Sequence, residues 1–348
     1  MPRLAVLTSG GDAPGMNTAV ATVVKVGTAR GAEVLGVDSG YEGLIEGRLR
    51  PLLPVDVDGW WHRGGTELGS ARSADFRTPE GRARAAAHLG DVDGLIVIGG
   101  NGSLTGARLL AEEHGIPVVG VPASIDNDIA CTDTAIGVDT ALNTIVEACD
   151  RISDTASSHR RVFIVEVMGR ECGYLAMAGA IATAADAAIF REQGKSEDQL
   201  VEELRGVLRA SFAPERHKRR VLILKAEGVD VPTARLCARL ESHVDEDAPG
   251  VHVRHVVLGH TVRGGPPSFR DRLVAGRLAF AAVNAALDGP HGGMVGWSDG
   301  ETPTADPKVG ITPLGKVLDE TRTLLDGSHP TTRRRLRMLE AVQGVLPL

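Results

Sequence analysis

Apolar residues along the chain come in short runs that alternate with glycine-rich turns and stretches of helical spacing. Leu4–Leu7 is an apolar run ending at Thr8-Ser9-Gly10-Gly11, and in Asn17–Arg30 beyond it Val20, Val23 and Val24 recur at helical spacing. Glu33–Val37 reads as a second strand that ends in Gly40. Leu95–Ile98 is a third, again followed by two glycines, after which Arg108–His114 reads as helix and Pro117–Val121 as strand. This alternation predicts βαβ units and a parallel sheet covered on both faces.

The rhythm restarts past the middle. Asn143–Ile152 has a helical pattern, Val162–Val167 is an apolar strand closed by Met168-Gly169-Arg170, and Tyr174–Ala187 reads as a helix of small residues. In Lys195–Arg209 the residues Leu200, Val201, Leu204 and Leu208 form one helix face. Val221–Lys225 and Val253–Leu258 are further strands, Pro214–Arg220 is charged and turn-like, and Thr331–Leu339 is a basic amphipathic tail helix suited to a surface. No short-period repeat and no low-complexity tract is present. With 348 residues, and domains of roughly 100–200 residues each, the expectation is an α/β protein of two lobes.

Composition narrows the class. Hydrophobic residues make up 43% and aromatic ones 3%, so the cores must be built from Val, Leu, Ile and Ala. The net charge of −7 argues against a nucleic-acid binder, which would carry a basic stripe. It leaves an anionic ligand open, since local arginines outvote the total charge. The four cysteines, Cys131, Cys149, Cys172 and Cys237, form neither a CxxC pair nor a His-rich tract, which argues against zinc and against a disulfide framework. No apolar stretch reaches the about 18 residues of a membrane helix. Residues 1–10 read as a strand, not a leader, so the expected compartment is the cytoplasm.

Two glycine loops carry the first chemical signal. Thr8–Asn17 joins a strand to a helix, and glycines there let a backbone approach an anion while the helix N-terminus supplies free N–H groups. The Lys-Ser/Thr ending of a Walker loop is missing, and the loop can equally be a structural turn. Ile98-Gly99-Gly100-Asn101-Gly102-Ser103 repeats the context. Two such loops at the carboxyl edge of one sheet suggest a phosphate-rich ligand. Pro122-Ala123-Ser124-Ile125-Asp126-Asn127-Asp128 then follows an apolar strand. Two carboxylates one residue apart repel each other. They suit a base for a hydroxyl proton and a holder for magnesium, or, more simply, a solvated helix cap. Arginines cluster at strand ends: Arg72 and Arg77 after Gly64-Gly65-Thr66, Arg160 and Arg161 before Val162, then Arg170, Arg254 and Arg263. Each presents a planar fork for phosphate oxygens.

Taken together, the strings LTSGGDAPGMN at 7–17, GGTELGSAR at 64–72, IGGNGS at 98–103, SIDNDI at 124–129, DTASSHRRV at 154–162, VEVMGR at 165–170 and VLGHTVRGG at 257–265 resemble, in order, the bacterial-type phosphofructokinase family. The resemblance implies two doubly wound, Rossmann-like α/β/α lobes with mainly parallel sheets. A phosphoryl-donor lobe would span 1–137 plus about 251–303, and a sugar-phosphate lobe 138–250 plus about 304–348. It implies an ATP-dependent 6-phosphofructokinase that makes fructose 1,6-bisphosphate, usually as a homotetramer with shared sites.

By position, the resemblance implies Asp126 as the base, with Ser124, Arg170 and a charge-stabilising Arg72 beside it. Gly10, Tyr41, Arg72, Arg77, Gly100, Asn101, Gly102 and Ser103 would line ATP, and Asn101 and Asp128 would lie near Mg2+. Ser124, Asp126, Asp128, Met168, Gly169, Arg170, Glu227, His260 and Arg263 would bind fructose 6-phosphate, with Arg161 and Arg254 reaching it from a neighbouring subunit. Several positions depart from the family pattern. Asn101 stands where ATP users generally carry Asp, and Ser124 replaces Thr but keeps the hydroxyl. Gly102 and Ala123 lack the Asp and Lys typical of pyrophosphate users, which favours ATP. Ala21 replaces an Arg used in regulation, and Phe190-Arg191-Glu192 replaces an apolar-Pro-Glu segment. The alternatives are a pyrophosphate or other-sugar-phosphate kinase, and a weakly active regulatory paralogue.

Overall fold

The structure, a computed structural model, describes residues 1–298 and 300–342. Its strands are Arg3–Ser9 (β1), Glu33–Val37 (β2), Leu49–Pro51 (β3), Gly94–Gly99 (β4), Val118–Pro122 (β5), Arg161–Val167 (β6), Ala187–Ile189 (β7), Arg220–Ala226 (β8), His252–Val257 (β9), Gly293–Gly296 (β10), Thr302–Pro303 (β11) and Gly310–Pro313 (β12). They form an eight-stranded sheet of order β11-β12-β10-β5-β4-β1-β2-β3 and a four-stranded sheet of order β7-β8-β6-β9. Chain contacts group the first sheet with residues 1–125, 129–140 and 263–322, and the second with 126–128, 141–262 and the segment from Thr323 onward.

In the first unit, β1, β2, β4, β5 and β10 run parallel, β3 closes one edge antiparallel, and at the other side β12 pairs antiparallel with both β10 and the edge strand β11. The apolar runs explain this. β4 is buried along its whole length and β1 at all but its first residue, as expected of strands covered on both faces. The helices Met16–Ala29 and Phe269–Asp288 pack on each other and on the sheet, and Gly40–Ile45, Pro79–Leu89 and Asn101–His114 form a second group. The connection turns towards β2 after β1 and the other way after β4, so these neighbouring strands flank the switch point where doubly wound sheets bind ligands. Their ends lie in register, Ser9 opposite Gly99.

The second unit is an all-parallel sheet over a core that includes Val162, Ile164, Leu204, Leu208, Ile223, Leu236 and Val253. The face Leu200, Val201, Leu204, Leu208 anticipated on the helix Glu197–Ser211 is buried there. Ser196 and Gln199 cap that helix reciprocally, through Gln199 N to Ser196 Oγ at 3.3 Å and Ser196 N to Gln199 Oε1 at 2.8 Å.

Three expectations are corrected. The helix foreseen over Tyr174–Ala187 stops at Ala182, and Ala187–Ile189 becomes β7. Ala184 turns to φ +47°, and Asp186 accepts the Leu222 amide at 2.8 Å, steering the chain onto β8. The boundary expected near 251 falls at 263, because β9 pairs in parallel with β6. The boundary expected near 304 falls at 323, because β12 pairs with β10. Among the described residues, no helix is long and apolar enough to cross a membrane.

Candidate active site

In the first unit, both glycine loops leave the carboxyl ends of β1 and β4. Gly10 sits at φ +89°, a conformation that glycine adopts without strain. Gly99 has no room for a side chain, since a Cβ there would lie 2.5 Å from the Ser9 carbonyl oxygen. The loops therefore lie against each other. Gly100 caps the helix Asn101–His114, so Asn101, Gly102 and Ser103 form its first turn, where backbone N–H groups attract anions. A side chain at Gly102 would point into open space, with no atom within 4 Å of its first carbon.

Asn17, at the start of the helix Met16–Ala29, ties the first glycine loop to the segment that carries Arg72. Its Nδ2 donates to the Arg63 and Gly64 carbonyls at 3.2 and 3.1 Å, and its Oδ1 accepts the Glu67 amide at 2.7 Å. Thr8 Oγ1 adds a bond to the Gly69 carbonyl at 2.8 Å, and Ser70 Oγ donates to the Gly10 carbonyl. Arg72 then lines a surface cavity of about 490 Å³ with Glu42, Ser73, Asp75 and Arg84. Arg77 is exposed. Its backbone is fixed by the buried Arg82, which donates to the Phe76 and Arg77 carbonyls at 3.1 and 2.8 Å while pairing with Glu113 at 2.6 Å.

Tyr41 is buried and supports the second loop through its hydroxyl, which donates to the Ser103 carbonyl at 2.6 Å. Its ring stacks on Phe76 with centroids 3.8 Å apart, and burial pushes its pKa far up. Arg263 belongs to this unit and donates from Nη1 to the Asp12 carbonyl at 3.1 Å, so it lies on the first glycine loop. Ser124 is half-buried and extends the strand edge through its amide bond to the Ile136 carbonyl.

In the second unit, the acid loop is not the solvated helix cap that the sequence left open. Asp126, Asn127 and Asp128 are 3%, 1% and 7% exposed, and the next helix begins only at Val138. Arg170 Nε lies 4.0 Å from Asp126 Oδ2, and the Arg170 side chain is 59% exposed. A buried carboxylate thus faces a guanidinium that stays open to solvent. Glu227 shapes the loop of Arg170, its Oε1 accepting the Gly169 and Arg170 amides at 3.3 and 2.8 Å. Met168 is buried beside them and His260 is exposed. Arg170 and Asn127 both have φ +51°, a region rare for non-glycine residues that gathers at functional sites.

Not every anticipated group converges within one chain. Met168–Arg170 and Glu227 follow the carboxyl ends of β6 and β8, whereas Arg161 opens β6 and Arg254 pairs with Phe163 near its start. At about 3.3 Å per residue, Arg161 and Val167 are about 20 Å apart along the strand. Arg254 stands on the edge strand, 48% exposed, with Nη1 on the Val253 carbonyl at 2.8 Å.

Sequence reasoning missed Asn17, Arg82 and Lys225. Lys225 is 1% exposed within an apolar strand and lies 3.3 Å from Glu166, which also takes a hydrogen bond from Thr233. These three line a cavity of about 570 Å³ with Glu227, Asp230 and His255. The only advance signal for Lys225 was a charge inside an apolar run. The cysteine thiols are held protonated: burial pushes Cys131 and Cys149 up to about 12 and Cys172 up to about 11, which removes thiolate chemistry at neutral pH. Among the described residues, no group of three or more His, Cys, Asp or Glu side chains could hold a metal.

Comparison with known proteins gives the family. The family model for phosphofructokinase matches residues 3–286. The chain is 45% identical over 327 residues to ATP-dependent 6-phosphofructokinase 1 of Thermus thermophilus, covering 93% of this chain and 96% of that one. It is 48% identical over 298 residues to ATP-dependent 6-phosphofructokinase of Thermotoga neapolitana, covering 85% and 89%. Among solved structures, phosphofructokinase from Saccharomyces cerevisiae superposes with TM-score 0.85 at 33% identity, over 99% of this chain and 50% of that one. The chain thus spans about half the yeast subunit's length. Pyrophosphate-dependent phosphofructokinase from Marinobacter aquaeolei, 22% identical with TM-score 0.75 over 91% of this chain and 84% of that one, shares the fold.

Proposed function

The chain belongs to the phosphofructokinase family, and on that premise we propose how its residues work. The protein is an ATP-dependent 6-phosphofructokinase: it moves the terminal phosphoryl group of ATP to the 1-hydroxyl of fructose 6-phosphate, giving fructose 1,6-bisphosphate and ADP. The observation that carries the chemistry is the buried Asp126 carboxylate, 3% exposed, with Arg170 4.0 Å away.

Phosphoryl transfer asks the protein mainly to align two reactants and to counter charge. Asp126 accepts the hydroxyl proton as the oxygen attacks phosphorus, and burial keeps water from competing for that proton. Arg170 sets a positive charge 4.0 Å from that carboxylate. Arg72 and the first turn at Gly100–Ser103 counter the charge on the donor phosphates. The open space at Gly102 supports ATP over pyrophosphate, since it leaves room for the nucleotide's inner phosphate. Met168, Gly169, Arg170, Glu227, His260 and Arg263 form the acceptor set.

Asp128 would offer magnesium a carboxylate oxygen and Asn101 a neutral amide oxygen, and the ion needs few protein ligands when phosphates and water complete its shell. When bound, the ion neutralises phosphate charge. The separation of Arg161 and Arg254 from the Arg170 end of the sheet supports a homotetramer in which these two arginines serve a neighbour's sugar phosphate. Both substrates being central metabolites, the protein acts in the cytoplasm.

A donor panel tests the reading. With fructose 6-phosphate and magnesium, ATP is expected to yield ADP and fructose 1,6-bisphosphate in equal amounts, and pyrophosphate to react at least about tenfold more slowly, the discrimination one misplaced contact can supply. Faster turnover with pyrophosphate, or sugar-phosphate binding without turnover, would contradict it.

A further inference from the structure

The tail helix Pro330–Val342 lies beyond residue 286, where the match to the family model ends. It is docked in the second unit by the buried Leu339 and by Thr332, whose Oγ1 donates to the Leu324 carbonyl at 3.2 Å. From this helix Arg335 reaches the acid loop. Its Nη2 donates to the Asn127 carbonyl oxygen at 3.3 Å, its Nη1 lies 3.5 Å from Cys172 Sγ, and its guanidinium carbon sits 4.5 Å over the Tyr174 ring. The Cys172 thiol points at the same Asn127 carbonyl, at 3.8 Å.

That carbonyl belongs to the residue between the two acids. Asn127 is 1% exposed and has φ +51°. A buried carbonyl needs a donor, and a cationic donor binds it more strongly than a neutral one. The rigid guanidinium is itself fixed by the Tyr174 face, so it sets the carbonyl's direction. Turning the Asn127 peptide would swing the carboxylates on both sides of it.

We propose that Arg335 is a positioning residue for the acid loop: by gripping the Asn127 carbonyl it sets the direction of Asp126 and Asp128. The proposal rests on the reading of Asp126 as the base. It gives the tail helix, whose sequence suggests only a surface element, a part in turnover without any contact with the reactants.

Two measurements on the full-length protein test it. In Arg335→Ala, kcat is expected to fall about 10–100-fold, the penalty of a misplaced reacting group, while KM for ATP and for fructose 6-phosphate changes less than about threefold. Millimolar guanidinium or the Arg335→Lys variant should restore part of kcat, which a merely destabilised helix would not allow. Arg337→Ala, an exposed arginine on the same helix, should behave as wild type. Independently, amide exchange of the peptide covering 124–130 should accelerate in Arg335→Ala and stay unchanged in Arg337→Ala. A kcat within twofold of wild type together with unchanged exchange overturns the proposal, and so does a fall in thermal midpoint with no rescue and no local change in exchange. The exchange measurement needs no turnover. A wild type inactive on fructose 6-phosphate would sink the kinase reading and still leave the grip on the loop decided.

Discussion

The glycine loops of the first unit and the acid loop of the second, both proposed here for phosphate chemistry, are held by different means. The glycine loops are shaped by close backbone approach: Gly99 is pressed on Ser9 of the neighbouring strand, and the second loop is one turn of a helix. The acid loop and its neighbour are shaped by side chains from far along the chain. Glu227 grips Arg170 from 57 residues away, and Arg335 reaches Asn127 across 208. A segment of the first kind tolerates almost no added atoms but depends little on distant chemistry. One of the second kind should lose function by single side-chain changes that leave the fold intact.

Substitutions can break or sharpen that contrast. The largest effect is expected at Gly99, where even alanine brings a carbon to 2.5 Å from the Ser9 carbonyl. Gly99→Ala should cost about 2–3 kcal/mol of stability, the usual range for overpacking, read from the denaturant midpoint. A shift under about 0.5 kcal/mol, the level of an ordinary surface change, would mean that the steric account is wrong. Glu227→Gln should behave the opposite way. Losing a charged acceptor for two amides costs about 1–2 kcal/mol, and the effect should appear as a raised KM for fructose 6-phosphate with kcat for the saturated enzyme largely kept. An unchanged KM would detach Glu227 from the acceptor set.

Tyr41→Phe keeps the stack on Phe76 and removes only the hydroxyl bond to Ser103. About 1 kcal/mol of stability should go, with a few-fold higher KM for ATP and none for the sugar; equal changes in both would contradict its assignment to the donor loop. Asn101→Asp should have the smallest effect and improve the protein. A negative charge at the first position of a helix gains about 0.5 kcal/mol, and the magnesium concentration for half-maximal rate should drop. Identical magnesium curves for the two proteins would remove position 101 from the metal's surroundings.

The same contrast explains what could be read in advance. The apolar runs that became β1, β4, β6 and β8 and the glycine strings after β1 and β4 were legible, because burial on both faces and close backbone approach leave their mark locally. The acidic pair was visible as residues but not as a buried loop, since the groups that enclose it come from distant segments. Lys225 was hidden inside a run that reads as pure strand. The helix Phe269–Asp288 and the strands β10 and β12 went unassigned, as alanine-rich and very short apolar stretches carry little period. The exchange points at 263 and 323 depend on which sheet accepts β9 and β12, a tertiary choice that no local pattern announces.

The central claim is that the buried carboxylate at 126 takes the hydroxyl proton. Asp126→Asn keeps the shape and removes the base, so rapid-quench turnover of ATP and fructose 6-phosphate in wild type and variant, with sugar-phosphate affinity measured alongside, addresses it most directly. The account predicts a loss of about 10²–10⁴ in kcat, the range for removing a general base, with affinity for fructose 6-phosphate essentially retained. A variant that turns over within about tenfold of wild type, below that range, would contradict it.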